Sequence, residues 1–202
     1  MENFKPFDDL FKADDRNLHF GLEKPTLRRH YDSIAEICLN DNIDEDVRSY
    51  FNSIKNLCVY AWCDYSLYAL CEFLSMTAIE LALNLRLGYS DPKQWKPGLR
   101  KVLEEARNKG LLTDDGFEVV RRQQSINQFW EDRPEDQRGE SNTRYVDILI
   151  QTLPFLRDHY SHPDYHPVRL PADARSSLRL TAEIINQIYR PGAASAASGL
   201  VT

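Results

Sequence analysis

The residues best suited to chemistry lie at the end of an apolar helical run, in the segment 157–162 with the sequence RDHYSH. An imidazole can transfer a proton near neutral pH, and a guanidinium can hold a phosphate through two parallel hydrogen bonds. Arg157 and His162, close together near a helix end, therefore suit phosphodiester chemistry. We predict that the helix ends close to His162, because the residue before a proline avoids the helical region and Pro163 follows.

Asp158 is the third candidate residue. It precedes His162 by four residues, so a helix places both side chains on one face and the carboxylate can accept an imidazole N–H. Both this carboxylate and the helix C-terminus favour a protonated ring. A structural alternative stays open, in which Arg157 pairs with an acid on a neighbouring helix and His162 caps the helix carbonyls.

The same region contains a possible metal site. His159, His162 and His166 stand beside Asp158 and Asp164, and two imidazoles at such spacings could bind one zinc. The prolines that follow make the later ligands extended rather than helical, and no cysteine or distant glutamate is evidently recruited. We therefore predict no metal and no other cofactor.

Composition limits the class of protein. A chain of 202 residues, 42% of them apolar, is long enough for one core, and its purely apolar stretches are too short to span a bilayer. The N-terminus lacks a signal pattern, and four cysteines without a Cys-x-x-Cys spacing indicate reduced thiols in the core. These features predict a cytoplasmic protein with no membrane partner.

The net charge of −6 argues against sequence-blind attraction to nucleic acid. Basic residues nevertheless outnumber acidic ones between Lys93 and Lys109. This stretch is either a local basic face or an ordinary solvated helix face.

Hydrophobic spacing predicts an all-α protein. Residues 1–25 form an arm that packs aromatic side chains onto the body, residues 26–190 a helical domain, and residues 191–202 a disordered tail. The helix that Thr26 caps has its apolar positions at 27, 31, 34, 35 and 38. A segment without Gly or Pro, 44–87, forms one long helix or two stacked ones ending at Gly88, and Pro154 kinks or divides the motif helix. The predicted helices cover 26–39, 44–87, 97–110, 115–129, 141–162 and 172–189.

With these elements the chain resembles the HEPN superfamily of small helical domains, whose signature is an arginine, a polar residue, a few positions and then a histidine. Residues 157–162 match that signature with four residues between the arginine and the histidine. A helical hairpin that includes 78–86 comes first, then 103–112, then the motif helix and a closing helix. The similarity covers about residues 44–190.

The resemblance implies a helical bundle that forms a two-fold homodimer, with both motif helices facing one cleft. It implies a metal-independent endoribonuclease of bacterial defence, toxin–antitoxin or stress systems. His162 would act as general acid or base on the ribose 2′-hydroxyl, Arg157 would bind the phosphate, and Asp158 would orient them. His159 and Tyr160, which lie between Asp158 and His162 in the sequence, are candidate substrate-binding residues.

The expected partners are a second copy of the chain, an RNA substrate and an antitoxin or regulatory protein. Some members of the superfamily have lost catalysis. The alternative expectation is therefore a catalytically inactive helical scaffold that dimerises and binds a protein or RNA partner.

Overall fold

The structure is a computed structural model that describes residues 4–19, 25–89, 98–129, 144–161 and 170–191. Every regular element in these ranges is helical and none is a strand, which confirms the all-α class. Two short 3₁₀ turns, Phe7–Asp9 and Asp114–Gly116, accompany the α-helices. The α-helices are α1 (Asp15–His19), α2 (Leu27–Ala35), α3 (Glu45–Tyr60), α4 (Leu67–Arg86), α5 (Leu99–Asn108), α6 (Glu118–Phe129), α7 (Tyr145–Tyr160) and α8 (Pro171–Ile188).

The helices form two compact units. The first unit comprises residues 1–79 and 159–182, and the second comprises residues 80–158 and 183–202. Helices α4, α7 and α8 each contribute residues to both units. Each unit has its own buried apolar residues, for example Phe51 and Ile54 in the first and Leu103 and Phe117 in the second.

The long uninterrupted segment divides into α3 and α4, the second of the two predicted arrangements. Each helix follows from its pattern: α3 buries Val47, Phe51, Ile54 and Cys58 along one face, at helical spacing. Helix α4 is buried on more of its circumference. It ends where predicted, at Gly88, whose φ of +89° favours a residue without a side chain.

Helix α4 is also long and apolar enough to cross a membrane by length and composition alone, with a mean hydropathy of 1.3 in its most apolar window. More than half of that window is buried inside the structure. The core helix of a globular domain has the same composition, because it too is apolar on most sides.

Pro154 does not divide the motif helix. Helix α7 continues through it from Tyr145 to Tyr160, one turn of helix beyond Leu156. The missing N–H and the ring remove one helical hydrogen bond but leave the turns on either side intact. The residues expected to open this helix, 141–143, lie outside the described residues, as does the predicted tail beyond 191.

The predicted aromatic packing of the N-terminal arm is wrong for the arm residues that the structure describes. Phe4, Phe7 and Phe11 are 99%, 84% and 87% exposed. Phe20 lies outside the described residues. The regular elements of the arm are only three and five residues long, too short to align several rings on one apolar face.

Polar groups hold the arm instead. The Asn17 amide, 3% exposed, donates to the carbonyl oxygens of Ala61 and Trp62 at 3.1 and 2.9 Å and accepts from the Tyr68 hydroxyl at 3.1 Å. The backbone N–H of Asp14 also donates to the Trp62 carbonyl. The last carbonyls of a helix have no partner within it, so the arm supplies the hydrogen bonds that the end of α3 needs.

The buried face of α2 also differs from the prediction. Thr26 caps the helix as expected, accepting from the backbone N–H of Arg29 at 3.2 Å. Leu27 and Tyr31, expected in the core, are each 49% exposed, whereas His30 and Ile34 are buried. The helix is rotated so that an imidazole, rather than the Tyr31 ring, enters the core.

We expect Asn17→Ala to lower the free energy of unfolding by about 2 kcal/mol, because the Ala61 carbonyl and the buried Tyr68 hydroxyl lose their Asn17 partner and the Trp62 carbonyl keeps only the Asp14 N–H. Phe7→Ala should leave it unchanged, since that ring is exposed. Urea denaturation of both variants measures the difference. A larger loss for Phe7→Ala than for Asn17→Ala would show that aromatic packing holds the arm.

Candidate functional site

Arg157 is held by an ion pair inside the second unit. Its Nη2 lies 2.8 Å from Oε2 of Glu80, which is on α4. The Arg157 side chain is 34% exposed and that of Glu80 only 12%. The structural alternative, an arginine paired with an acid of a neighbouring helix, is confirmed for this residue. The pair also fixes the guanidinium at a defined place near the end of α7.

The Glu80 carboxyl is in a mixed environment. Burial raises its pKa above the ordinary range, the positive charge of Arg157 lowers it, and the negative charge of Asp158 raises it. The effect of burial is the largest of the three, so the positive charge of Arg157 does not fully offset the rise in the Glu80 pKa that burial causes. Asp158 itself is 75% exposed, and its Oδ1 lies 4.0 Å from Nη1 of Arg157. This distance permits electrostatic attraction without a hydrogen bond.

Tyr160 is held in a similar way inside the first unit. Its hydroxyl donates a 2.7 Å hydrogen bond to Oε2 of Glu72, a residue of α4 that is only 5% exposed. This contact engages the Tyr160 hydroxyl, and the residue as a whole is half-buried. His159 is half-buried. The structure thus places Arg157, Asp158, His159 and Tyr160 along the last turn of one helix.

The remaining predicted site residues cannot be placed. His162 lies outside the described residues, as do His166, Asp164 and the prolines around them. The described helix ends at Tyr160, two residues before His162, close to the predicted end. Among the described residues, no group of three His, Cys, Asp or Glu side chains could hold a metal ion. The His159, His162 and His166 hypothesis depends on residues beyond those ranges.

The cysteines form no disulfide in the described part of the chain. All four are free, and Cys58 and Cys71 are buried as predicted. Cys38 is exposed, because it follows the end of α2 and faces away from Ile34 and Ile37, which are buried. The expectation of a core position is wrong for Cys38.

Two of the cations between Lys93 and Lys109 form ion pairs with acids. Lys109 pairs with Glu105 at 2.7 Å, and Arg107 pairs with Asp147 at 2.5 Å. Arg100 and Lys101 are exposed, whereas Lys93 and Lys96 lie outside the described residues. The described part of the stretch is therefore a mixed helix face with two exposed cations at its start.

Sequence reasoning missed a polar cavity in the first unit. It has a volume of about 110 Å³, and its wall includes Asn17, Arg29, His30, Tyr68 and Arg175. The sequence does contain a pattern that points to it: residues 30, 34 and 37 have helical spacing, just as the predicted apolar positions 27, 31, 34, 35 and 38 do. The prediction placed Tyr31 in the core, whereas the structure buries the neighbouring His30.

The state of His30 follows from its contacts. Its Nε2 lies 2.8 Å from the carbonyl oxygen of Cys58, and a carbonyl can only accept, so Nε2 carries the proton and Nδ1 is an acceptor. Burial lowers the pKa of the ring, and the positive charge of Arg175 lowers it further, although the hydrogen bond to Cys58 opposes both. His30 is therefore a neutral, structural histidine at neutral pH.

No family model, no curated protein and no solved structure matches this chain. Support for a function comes from the chemistry and geometry of its own residues.

We expect the free energy of unfolding to fall as the pH drops from 7.5 to 5.5, in part through His30. Because the pKa of the folded ring is lowered, the unfolded ring takes up its proton at a higher pH than the folded ring, so acid favours the unfolded state. His30→Gln retains a donor for the Cys58 carbonyl and should show a weaker pH dependence. The exposed control His19→Gln should keep the wild-type dependence, and equal slopes for wild type and His30→Gln would contradict this assignment.

Proposed function

We propose that this protein is a metal-independent endoribonuclease of the HEPN type, with Arg157, Asp158 and His162 at its active site. The observation that supports this best is the Arg157–Glu80 ion pair, which holds a guanidinium in a defined position at the end of α7, five residues before His162. A positioned cation stabilises the charge of a phosphorane-like transition state without reorganisation during the reaction.

Arg157 retains donors for a substrate. The ion pair engages Nη2, and a guanidinium has five N–H groups in all. Its remaining N–H groups can donate to the non-bridging oxygens of a phosphodiester. Glu80 has the role of a positioning residue, since it contacts the arginine rather than the substrate.

The proposed reaction proceeds by internal attack. His162 removes the proton from the ribose 2′-hydroxyl, and the resulting oxygen attacks the adjacent phosphorus. The bond from phosphorus to the 5′-oxygen breaks, that oxygen takes up a proton, and a 2′,3′-cyclic phosphate remains. Asp158 favours the charged imidazolium. His159 and Tyr160 contribute to binding beside the reacting groups, and no metal takes part.

The alternative proposal is a catalytically inactive scaffold that binds a protein or RNA partner. Two contacts favour this alternative. Glu80 already neutralises much of the Arg157 charge, and the Tyr160 hydroxyl already donates its hydrogen bond to Glu72. A bacterial defence or stress role, an antitoxin or regulatory partner and a cytoplasmic location belong to the catalytic proposal.

Cleavage of RNA separates the two proposals. The wild-type protein should cut single-stranded RNA in the presence of EDTA and leave cyclic phosphate ends. His162→Ala should lower the rate by at least about 100-fold through loss of acid–base catalysis, and Arg157→Lys should lower it strongly while keeping a cation beside Glu80. His159→Ala should have a smaller effect. Gel analysis of end-labelled RNA measures all four proteins.

Matched controls make this test specific. His19→Ala and Arg122→Ala remove the same side-chain types at exposed positions outside α7, and both should cut as the wild type does. Activity that EDTA abolishes and zinc restores would favour the metal hypothesis. Absence of cutting by well-folded wild-type protein would favour the scaffold.

We also propose a two-fold homodimer, because one arginine and one histidine per chain become two pairs in a shared cleft only by symmetry. Light scattering should give about twice the 23.5 kDa mass of the chain. A mass of one chain at micromolar concentration, unchanged by added RNA, would contradict the shared cleft but would leave a site within one chain possible.

A further inference from the structure

The second unit contains a polar groove formed by α5 and the beginning of α7. Its volume is about 460 Å³, and we call it the arginine groove. Its polar lining residues are Arg100, Glu104, Arg107, Arg144, Asp147 and Gln151.

The pattern of each helix explains why these side chains meet. The α5 members lie at positions i, i+4 and i+7, so they share one face of the helix. Arg144 immediately precedes α7, and Asp147 and Gln151 lie four residues apart on one face of α7. The opposite sides of both helices are buried, as Val102 and Leu103 show for α5 and Val146 and Leu149 for α7. Two amphipathic helices therefore bring their polar edges together along the groove.

The groove carries a local excess of positive charge. Its lining includes three arginines and two acids. One arginine and one acid neutralise each other, since Nη1 of Arg107 lies 2.5 Å from Oδ1 of Asp147. That ion pair also joins α5 to α7 and fixes the distance between the walls. The remaining charges are those of Arg100, Arg144 and Glu104, with a surplus of one positive charge in a chain whose net charge is −6.

Arg100 and Arg144 differ from four of the other cations of this unit, which are paired with acids. Arg107, Lys109, Arg122 and Arg157 each form an ion pair with an acid. Within the part of the chain that the structure describes, the guanidinium groups of Arg100 and Arg144 make no such pair. Arg100 borders the groove from α5 and Arg144 from the position just before α7, and two guanidinium groups that line one groove suit an anion with several oxygens.

We propose that the arginine groove binds a small molecule that carries a diphosphate or a longer phosphate chain, with Arg100 and Arg144 as its phosphate ligands. The volume lies within the usual range for small-molecule sites. A guanidinium matches the geometry of phosphate oxygens bidentately, and two of them balance the charge of a diphosphate better than that of a carboxylate. The Gln151 amide adds a neutral donor.

A compact ligand fits the surroundings better than a nucleic acid strand. A strand needs positive charge that continues along its path. The face of α7 that bears Asp147 and Gln151 continues to Asp158, which is 75% exposed and negative. Lys109, which follows the end of α5, is paired with Glu105. The positive region therefore ends with the groove.

Isothermal titration calorimetry with inorganic diphosphate and with ADP tests the proposal on the full chain. At least one of the two probes should bind the wild type. Arg100→Gln and Arg144→Gln should each weaken that binding by about 10-fold or more, the effect of losing a charge-assisted hydrogen bond. Arg122→Gln, which removes the same charge from an exposed site on α6, should bind as the wild type does. Melting temperatures confirm that each variant is folded.

Glu104→Gln adds a test with the opposite expected sign, because damage to the fold would weaken binding and this substitution should strengthen it. Removal of this negative charge from the groove should strengthen diphosphate binding several-fold, because it repels the ligand. Equal affinity for diphosphate and ADP would show that the phosphates alone are recognised, and tighter ADP binding would add contacts from the nucleoside.

Three results would overturn the proposal. The first is the absence of a calorimetric binding signal with either probe at millimolar concentration. The second is binding that persists in both arginine variants. The third is displacement of bound diphosphate by a single-stranded RNA that binds more tightly than either probe. Because none of these variants changes Arg157 or His162, RNA cleavage and diphosphate binding can fail independently of each other.

Discussion

Two carboxylates on α4, the buried Glu72 and the largely buried Glu80, hold side chains at the end of α7. A carboxylate removed from water needs compensation by hydrogen bonds or by an opposite charge. Glu72 receives a hydroxyl hydrogen bond from Tyr160 in the first unit, and Glu80 receives the guanidinium of Arg157 in the second. The most apolar helix of the chain thus fixes the end of α7 through its few polar side chains, and not only by apolar contact.

This arrangement determines what the end of α7 can do. An arginine held by a half-compensated carboxylate is well positioned, but part of its charge is already balanced. A phosphate must therefore compete with Glu80 or share the guanidinium with it, and the separate N–H groups of arginine make sharing possible.

The cations of the second unit show that local pairing with acids, rather than net charge, sets which of them remain available. The sequence between Lys93 and Lys109 has a clear excess of basic residues. In the structure, Arg107 and Lys109 are paired with acids, whereas Arg100 lines the groove together with Arg144, the residue just before α7. Charge counting along a helix could not distinguish these cations, since Asp147 and Arg144 come from a distant part of the chain.

The sequence by itself determined the features that depend on neighbouring residues. The all-α class, the Thr26 cap, two stacked helices as one of two options for 44–87, and the end of α4 at Gly88 follow from periodicity, capping chemistry and the conformational freedom of glycine. Only the tertiary structure decided which face of α2 is buried, that Asn17 rather than phenylalanine holds the arm, and that Glu80 is the partner of Arg157. These outcomes depend on which unsatisfied carbonyls, charges and cavities residues far apart in sequence bring together, and no local pattern contains that information.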